Sequence, residues 1–159
     1  MIAQHWVVNR GARDVAGAGE LGPRLRRTRN RHERLIMGDI PLISVVDDDE
    51  SVRESLPDLL RELGYAARTF PSGEEFLASG YDDQTQCLIL DIAMPGMSGP
   101  DLHWELQRRK KKIPTIFITG HGRETVRPLM PEKSTAECLF KPFSDSALLQ
   151  ALNFALRAS

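Results

Sequence analysis

A single carboxylate, Asp91, closes the apolar run Cys87-Leu88-Ile89-Leu90 and stands directly before Ile92-Ala93-Met94-Pro95-Gly96-Met97-Ser98-Gly99. A charged group at the point where a hydrophobic strand opens into a Pro/Gly loop is held by the strand and presented by the loop. Three other segments place polar groups in the same way: Asp47-Asp48-Asp49 after the mostly apolar Leu42-Ile43-Ser44-Val45-Val46, Thr119 before Gly120, and Lys141 before Pro142. Carboxylates that converge without a nearby His or Cys suit a hard, oxygen-seeking cation, Mg2+ first. Such an ion would offset the repulsion among the acids and bridge to a phosphoryl oxygen. Thr119 can donate a hydrogen bond to that phosphoryl group, and Lys141 can pair its remaining charge. Together these residue types suit a metal-assisted phosphoryl acceptor.

Convergence requires a scaffold, and the rest of the sequence describes one. Leu42-Ile43-Ser44-Val45-Val46 reads as a buried strand ending in acids. Residues 50–63 place Val52, Leu56, Leu59, Leu60 and Leu63 at helical spacing before Gly64, with Pro57 expected to kink that helix or cost it stability. Residues 65–70 read as a second strand. Ser72, with Glu75 three residues later, caps a short helix. A third strand at 87–90, a helix at 99–110, strands at 114–118 and 136–140, and a last helix at 144–157 capped by Ser144 complete the series. Five strands alternating with helices predict a doubly wound α/β domain, a five-stranded parallel sheet with helices on both faces. In such sheets ligands bind outside the carboxyl ends of the strands. Asp47, Asp48, Asp91, Thr119 and Lys141 all fall at that edge.

Composition sets the boundaries. No run approaches the roughly 18 apolar residues that span a bilayer, and the N-terminus lacks a secretory apolar region, so a cytoplasmic location without membrane contact is expected. Cys87 and Cys138 read as small buried hydrophobes rather than ligands. The net charge of −1 conceals a split: residues 1–36 carry eight arginines against three acids, with several glycines and no sustained apolar period. The chain therefore divides into a basic extension at 1–39, expected to be disordered or weakly helical, and one domain at 40–159. The basic extension could engage nucleic acid by counterion release, but without a recognition helix or many aromatics nucleic-acid binding is not expected.

Four motifs in order, Val46-Asp47-Asp48-Asp49-Glu50-Ser51-Val52-Arg53, the Asp91 to Gly99 segment, Ile118-Thr119-Gly120-His121-Gly122 and Lys141-Pro142-Phe143, give the chain a family likeness. It resembles the receiver domain of two-component response regulators, closest to the FixJ-like group, over about residues 40–157. The resemblance implies a flavodoxin-like receiver fold in which Asp91 accepts a phosphoryl group from a phosphohistidine, with Thr119 and Lys141 completing the catalytic set. It implies Mg2+ held by Asp47, Asp48, Asp91 and the backbone carbonyl of Ala93, with Asp49 a neighbour rather than a ligand. A cis Lys141-Pro142 bond is expected, and Ala93 and His121 stand where they could shape water access. The implied partners are a sensor histidine kinase or phosphotransfer protein and a downstream protein, with signalling by protein–protein contact, as monomer or phosphorylation-dependent dimer. No output domain is expected within the chain, and no enzymatic activity beyond its own phosphorylation and slow dephosphorylation.

The sequence also departs from the family pattern. Pro128 and Pro131 interrupt the helix expected between Thr119 and Lys141, Ser134-Thr135 replaces the usual Gly-Ala, and Cys138 takes the aromatic switch position, with Phe140 expected on the opposite strand face. These changes leave the phosphorylation chemistry in place and alter how it would be transmitted. Two other readings compete. A Mg2+-dependent aspartyl-phosphate phosphatase of haloacid-dehalogenase type would want a second Asp where Ala93 stands, and a DNA-associated regulator would work through the basic extension.

Overall fold

Where apolar and β-branched residues dominate, as in the first, third and fourth strands, both faces of a strand must be covered. The computed structural model describes residues 39–122, 128 and 137–158. Its strands are β1 (Leu42–Val46), β2 (Ala66–Phe70), β3 (Cys87–Asp91), β4 (Thr115–Thr119) and β5 (Glu137–Phe140). The helices are α1 (Glu50–Glu62), α2 (Gly73–Ser79), α3 (Gly99–Arg108) and α4 (Asp145–Arg157), with a 3-10 turn at Tyr81–Asp83. All strand pairs are parallel, in the order β2-β1-β3-β4-β5. Strands β3 and β4 are buried throughout, whereas the edge strands β2 and β5 are only partly so. That is the pattern expected of a sheet sandwiched between helices.

The alternation along each strand splits the core into two layers. Ile43, Val45, Ile89, Ile116 and Ile118 face α1 and α4, meeting Leu56, Leu60, Leu148 and Leu152. Val46, Leu88, Leu90 and Phe117 face α2 and α3, meeting Phe76, Leu102 and Leu106. On the inner face of α3, His103 is buried with its Nδ1 3.2 Å from the Thr115 hydroxyl oxygen.

Several sequence expectations shift. Helix α1 continues through Pro57, whose ring is buried, so the proline removes one helical hydrogen bond without ending the element. Gly64 (φ +93°) then stops it, with the Gly64 amide donating to Arg61 and the Tyr65 amide to Leu60. Helix α3 ends at Arg108 rather than residue 110, because Lys110 itself occupies the left-handed position (φ 59°) of the same terminal motif. Its amide donates to Gln107 and that of Lys111 to Leu106. A lysine there forgoes what glycine adopts without steric cost. Lys110→Gly should therefore raise stability by about 1 kcal/mol, read as a higher urea midpoint at unchanged slope; a lower midpoint would contradict this account.

Strand β5 requires a further correction. Cys138 pairs in register with Phe117 and packs in the α2/α3 layer, while Leu139 packs in the other. Phe140, two residues beyond Cys138 and across from Thr119, therefore shares the face of Cys138 rather than opposing it. All of the basic extension at 1–39 except Asp39, the interrupted helix with Pro131, and Ser134-Thr135 lie outside the described residues, as does Ala136 at the expected start of β5. Pro128 is exposed. No described helix is long and apolar enough to cross a membrane.

Candidate functional site

The reversal of strand order falls between β1 and β3, and the acidic groups lie at the carboxyl ends of those two strands. This is where open α/β sheets form a crevice. Asp47 follows β1 and is fully buried. Its backbone is held on both sides, with its amide donating to Phe70 O and its carbonyl accepting from Arg53 Nη1 at 2.9 Å. Asp48, next in the chain, is exposed. Asp49 turns away to cap α1, its Oδ1 accepting from the Ser51 amide at 2.9 Å and the Ser51 hydroxyl at 2.7 Å. Those two bonds hold its carboxyl below the usual range. Asp49 is thus committed to the helix, as a neighbour of the acid pair.

Asp91 ends β3 with 6% of its surface exposed. Carboxylate oxygens of Asp47, Asp48 and Asp91 lie within 4.8 Å of one another. Burial first, and then the negative charge of Asp47, push the Asp91 carboxyl up to about 7, against the opposing pull of Lys141. Lys141 stands directly after β5 and before a cis Lys141-Pro142 bond, its amide donating to Thr119 O. Its Nζ is 2.8 Å from Asp47 Oδ2 and 3.8 Å from Asp91 Oδ1. Burial by itself would lower its pKa, but the hydrogen bond to Asp47 and the charges of Asp91, Asp47 and Asp49 hold it above the ordinary lysine value. The lysine is thus already engaged with Asp47 and stands close to Asp91.

Thr119 closes β4, one residue beyond the register partner of Asp91, and is fully buried. Its Oγ1 accepts from the His121 amide at 3.0 Å, which leaves its hydroxyl hydrogen to donate. His121 is exposed and contributes its backbone here. Ala93 is exposed, two residues past Asp91.

Mg2+ takes oxygens at about 2.0–2.1 Å in octahedral geometry, so its neighbouring ligand oxygens sit roughly 3 Å apart. Three converging carboxylates, with oxygens within 4.8 Å of one another, supply the hard oxygen donors such an ion takes. Asp47, Asp48 and Asp91 come together as the sequence predicts.

Two supports lacked a sequence signal strong enough to assign them a role. An ideal Cβ on Gly99 would sit 2.2 Å from the Asp91 carbonyl oxygen and 3.0 Å from Ile92 Cα. Only a bare Cα lets the start of α3 lie against the end of β3, and the Gly99 amide donates to Ile92 O at 3.1 Å. Arg53 fixes the Asp47 carbonyl. Both stand in the motifs, but a motif shows position without showing contact.

The family model for the response regulator receiver domain matches residues 43–153. Nodulation protein W of Bradyrhizobium diazoefficiens is 42% identical over 111 residues, covering 70% of this chain and 49% of that protein. The transcriptional regulatory protein FixJ of Azorhizobium caulinodans is 37% identical over 117 residues, covering 74% of this chain and 56% of that one. The chain thus spans about half the length of the curated relatives it matches. Among solved structures, FixJ-N superposes with a TM-score of 0.67 at 36% identity, covering 75% of this chain and 95% of its own.

Proposed function

The chain belongs to the response regulator receiver domain family of two-component systems, and from that premise we propose that Asp91 accepts a phosphoryl group from a histidine kinase or phosphotransfer protein. Receiver domains interact with such donors, and this one would pass the signal on by protein–protein contact. The observation that carries the reading is the grouping of the Asp47, Asp48 and Asp91 oxygens within 4.8 Å, with the Lys141 ammonium beside them.

In this reading one Asp91 carboxylate oxygen attacks the phosphorus of the phosphohistidine. An O–P bond forms, the P–N bond breaks, and the departing imidazole keeps the electron pair. A bound Mg2+ held by Asp47, Asp48, Asp91 and the Ala93 carbonyl would neutralise the carboxylates and bind a phosphoryl oxygen. The chain's own groups do the rest by position and charge. Lys141, anchored on Asp47 Oδ2, needs only a small swing to pair with the arriving charge. The Thr119 hydroxyl has its acceptor side occupied by the His121 amide and donates its hydrogen to a second phosphoryl oxygen. Asp47 is oriented by the Asp49 amide, which donates to its Oδ1 at 2.9 Å. The protein then catalyses only its own phosphorylation and slow dephosphorylation.

Phosphotransfer profiling against the histidine kinases of the source organism, in Mg2+, tests this. Label should appear on the wild-type chain and fall to background in Asp91→Ala. Label that persists in Asp91→Ala would remove Asp91 from the role, and no label from any kinase would count against phosphoryl acceptance altogether.

A further inference from the structure

The segment between β3 and α3 is secured at both ends but by different means. At its start Ile92 is buried and its amide donates to Ile118 O. At its end Ser98 and Asp101 cap α3 reciprocally, the Asp101 amide donating to Ser98 Oγ and the Ser98 amide to Asp101 Oδ2. Between these anchors Ala93, Pro95 and Gly96 are exposed, and Met94 is buried in the α2/α3 layer of the core. The residue directly before Ser98 is tied to a separate element, the first turn of α2. The Met97 amide donates to Glu74 Oε1 at 3.2 Å, a contact spanning 23 residues.

Two glycines are shaped around this contact. Gly96 holds φ +71°, and a Cβ there would stand 3.1 Å from Glu74 Oε1. A Cβ on Gly73 would stand 2.9 Å from Met97 Sδ. The loop is thus strapped to α2 by the Met97 side chain over Gly73 and by the Met97 amide on Glu74. From sequence, Glu74 is an exposed glutamate in a first helical turn, where a negative charge suits the helix end without any tertiary partner.

We propose that Glu74 is a positioning residue for the phosphoacceptor loop: its hydrogen bond to the Met97 amide fixes the backbone that carries the Ala93 carbonyl and so sets the affinity of the Asp47–Asp48–Asp91 pocket for Mg2+. This rests on the Mg2+ reading above. Glu74 touches neither ion nor phosphoryl group. It acts through the loop, as groups outside a metal's ligand set commonly orient the ligands.

The test compares Mg2+ titration by calorimetry in the full chain carrying no change, Glu74→Gln or Glu74→Ala, with thermal unfolding confirming that each folds. Exposure of Glu74 makes folding of both variants the expectation. The glutamine keeps an acceptor oxygen and should bind Mg2+ within about twofold of wild type, while the alanine should bind about 10-fold more weakly, the low end of losses seen when outer-shell partners are removed. Equal affinity in wild type and Glu74→Ala would overturn the proposal. So would glutamine as weak as alanine, since that would mean charge attraction rather than the hydrogen bond. If the unaltered chain takes up no Mg2+, the metal reading falls and the proposed control of affinity falls with it. Amide exchange at Met97 then judges the strap alone, which stands if exchange is faster in Glu74→Ala and fails if it is unchanged.

Discussion

Asp91→Asn is expected to make the metal-free protein more stable at pH 7 than the unaltered chain, by about 2–4 kcal/mol. The carboxyl sits at about 7 in the folded state against an ordinary 3.8, because burial and the neighbouring Asp47 disfavour its charge. A raised folded-state pKa means that the native state holds the proton after the unfolded state has released it. Stability therefore declines as pH rises from about 4 to about 7 and levels off above. The full difference corresponds to roughly 4 kcal/mol at 1.36 kcal/mol per pH unit. Asparagine cannot ionise, so it escapes this penalty, although it also gives up the attraction of Lys141. The two proteins should be alike near pH 4 and separate on the way to pH 7. In a domain of this size the gap amounts to on the order of 10 °C in Tm. Added Mg2+ should then stabilise the unaltered protein more than the variant, because the ion relieves the same repulsion. Denaturant unfolding from pH 4 to 8 checks the prediction. A variant less stable at neutral pH, or a gap that does not vary with pH, would show that Asp91 is not held against its charge.

Gly99→Ala should act in the opposite direction and damage fold and site together. The added carbon would meet backbone, with the Asp91 carbonyl oxygen at 2.2 Å, and no flexible side chain can move aside. Relief requires separating the start of α3 from the end of β3, which costs about 3 kcal/mol or more, at the upper end of overpacking. The same separation shifts Asp91 relative to Asp47, so Mg2+ binding should weaken in whatever fraction remains folded. Gly120→Ala is the matched comparison. It also sits in a site motif beside a strand end, yet a Cβ there meets nothing within 4 Å among the described residues and its backbone is not in the left-handed region. Its stability should stay within about 0.5 kcal/mol of the original. Equal losses in the two variants, followed by urea unfolding, would refute the steric account.

The contrast between these glycines shows how far the sequence reads. Periodicity and capping located the described strands and α-helices to within a residue or two, α2 by its capped start alone, because apolar runs must be covered on both faces and amphipathic runs must cover them; the 3-10 turn at Tyr81–Asp83 carried no such signal. Where a boundary slipped, a single backbone state decided it. Lys110 adopts the left-handed conformation that ends α3, which its residue type does not advertise. Phe140 shares a face with Cys138 because register, set by pairing with β4, fixes which way each residue points.

Sequence by itself determined the chemistry available. Asp47, Asp48, Asp91, Thr119 and Lys141 each fall where a strand ends, and a parallel sheet gathers strand ends at one edge whatever the packing details. Tertiary structure alone decided the contacts that make those groups work. It placed Lys141 on Asp47, turned Asp49 to cap α1, pressed bare Gly99 against Asp91, and brought Glu74 to the Met97 amide across 23 residues. The physical reason is one of range. Alternation and helical period are local and repeat along the chain, so they can be read from it, whereas a hydrogen bond or a steric contact between distant segments depends on ångström-scale placement set only when the whole core packs.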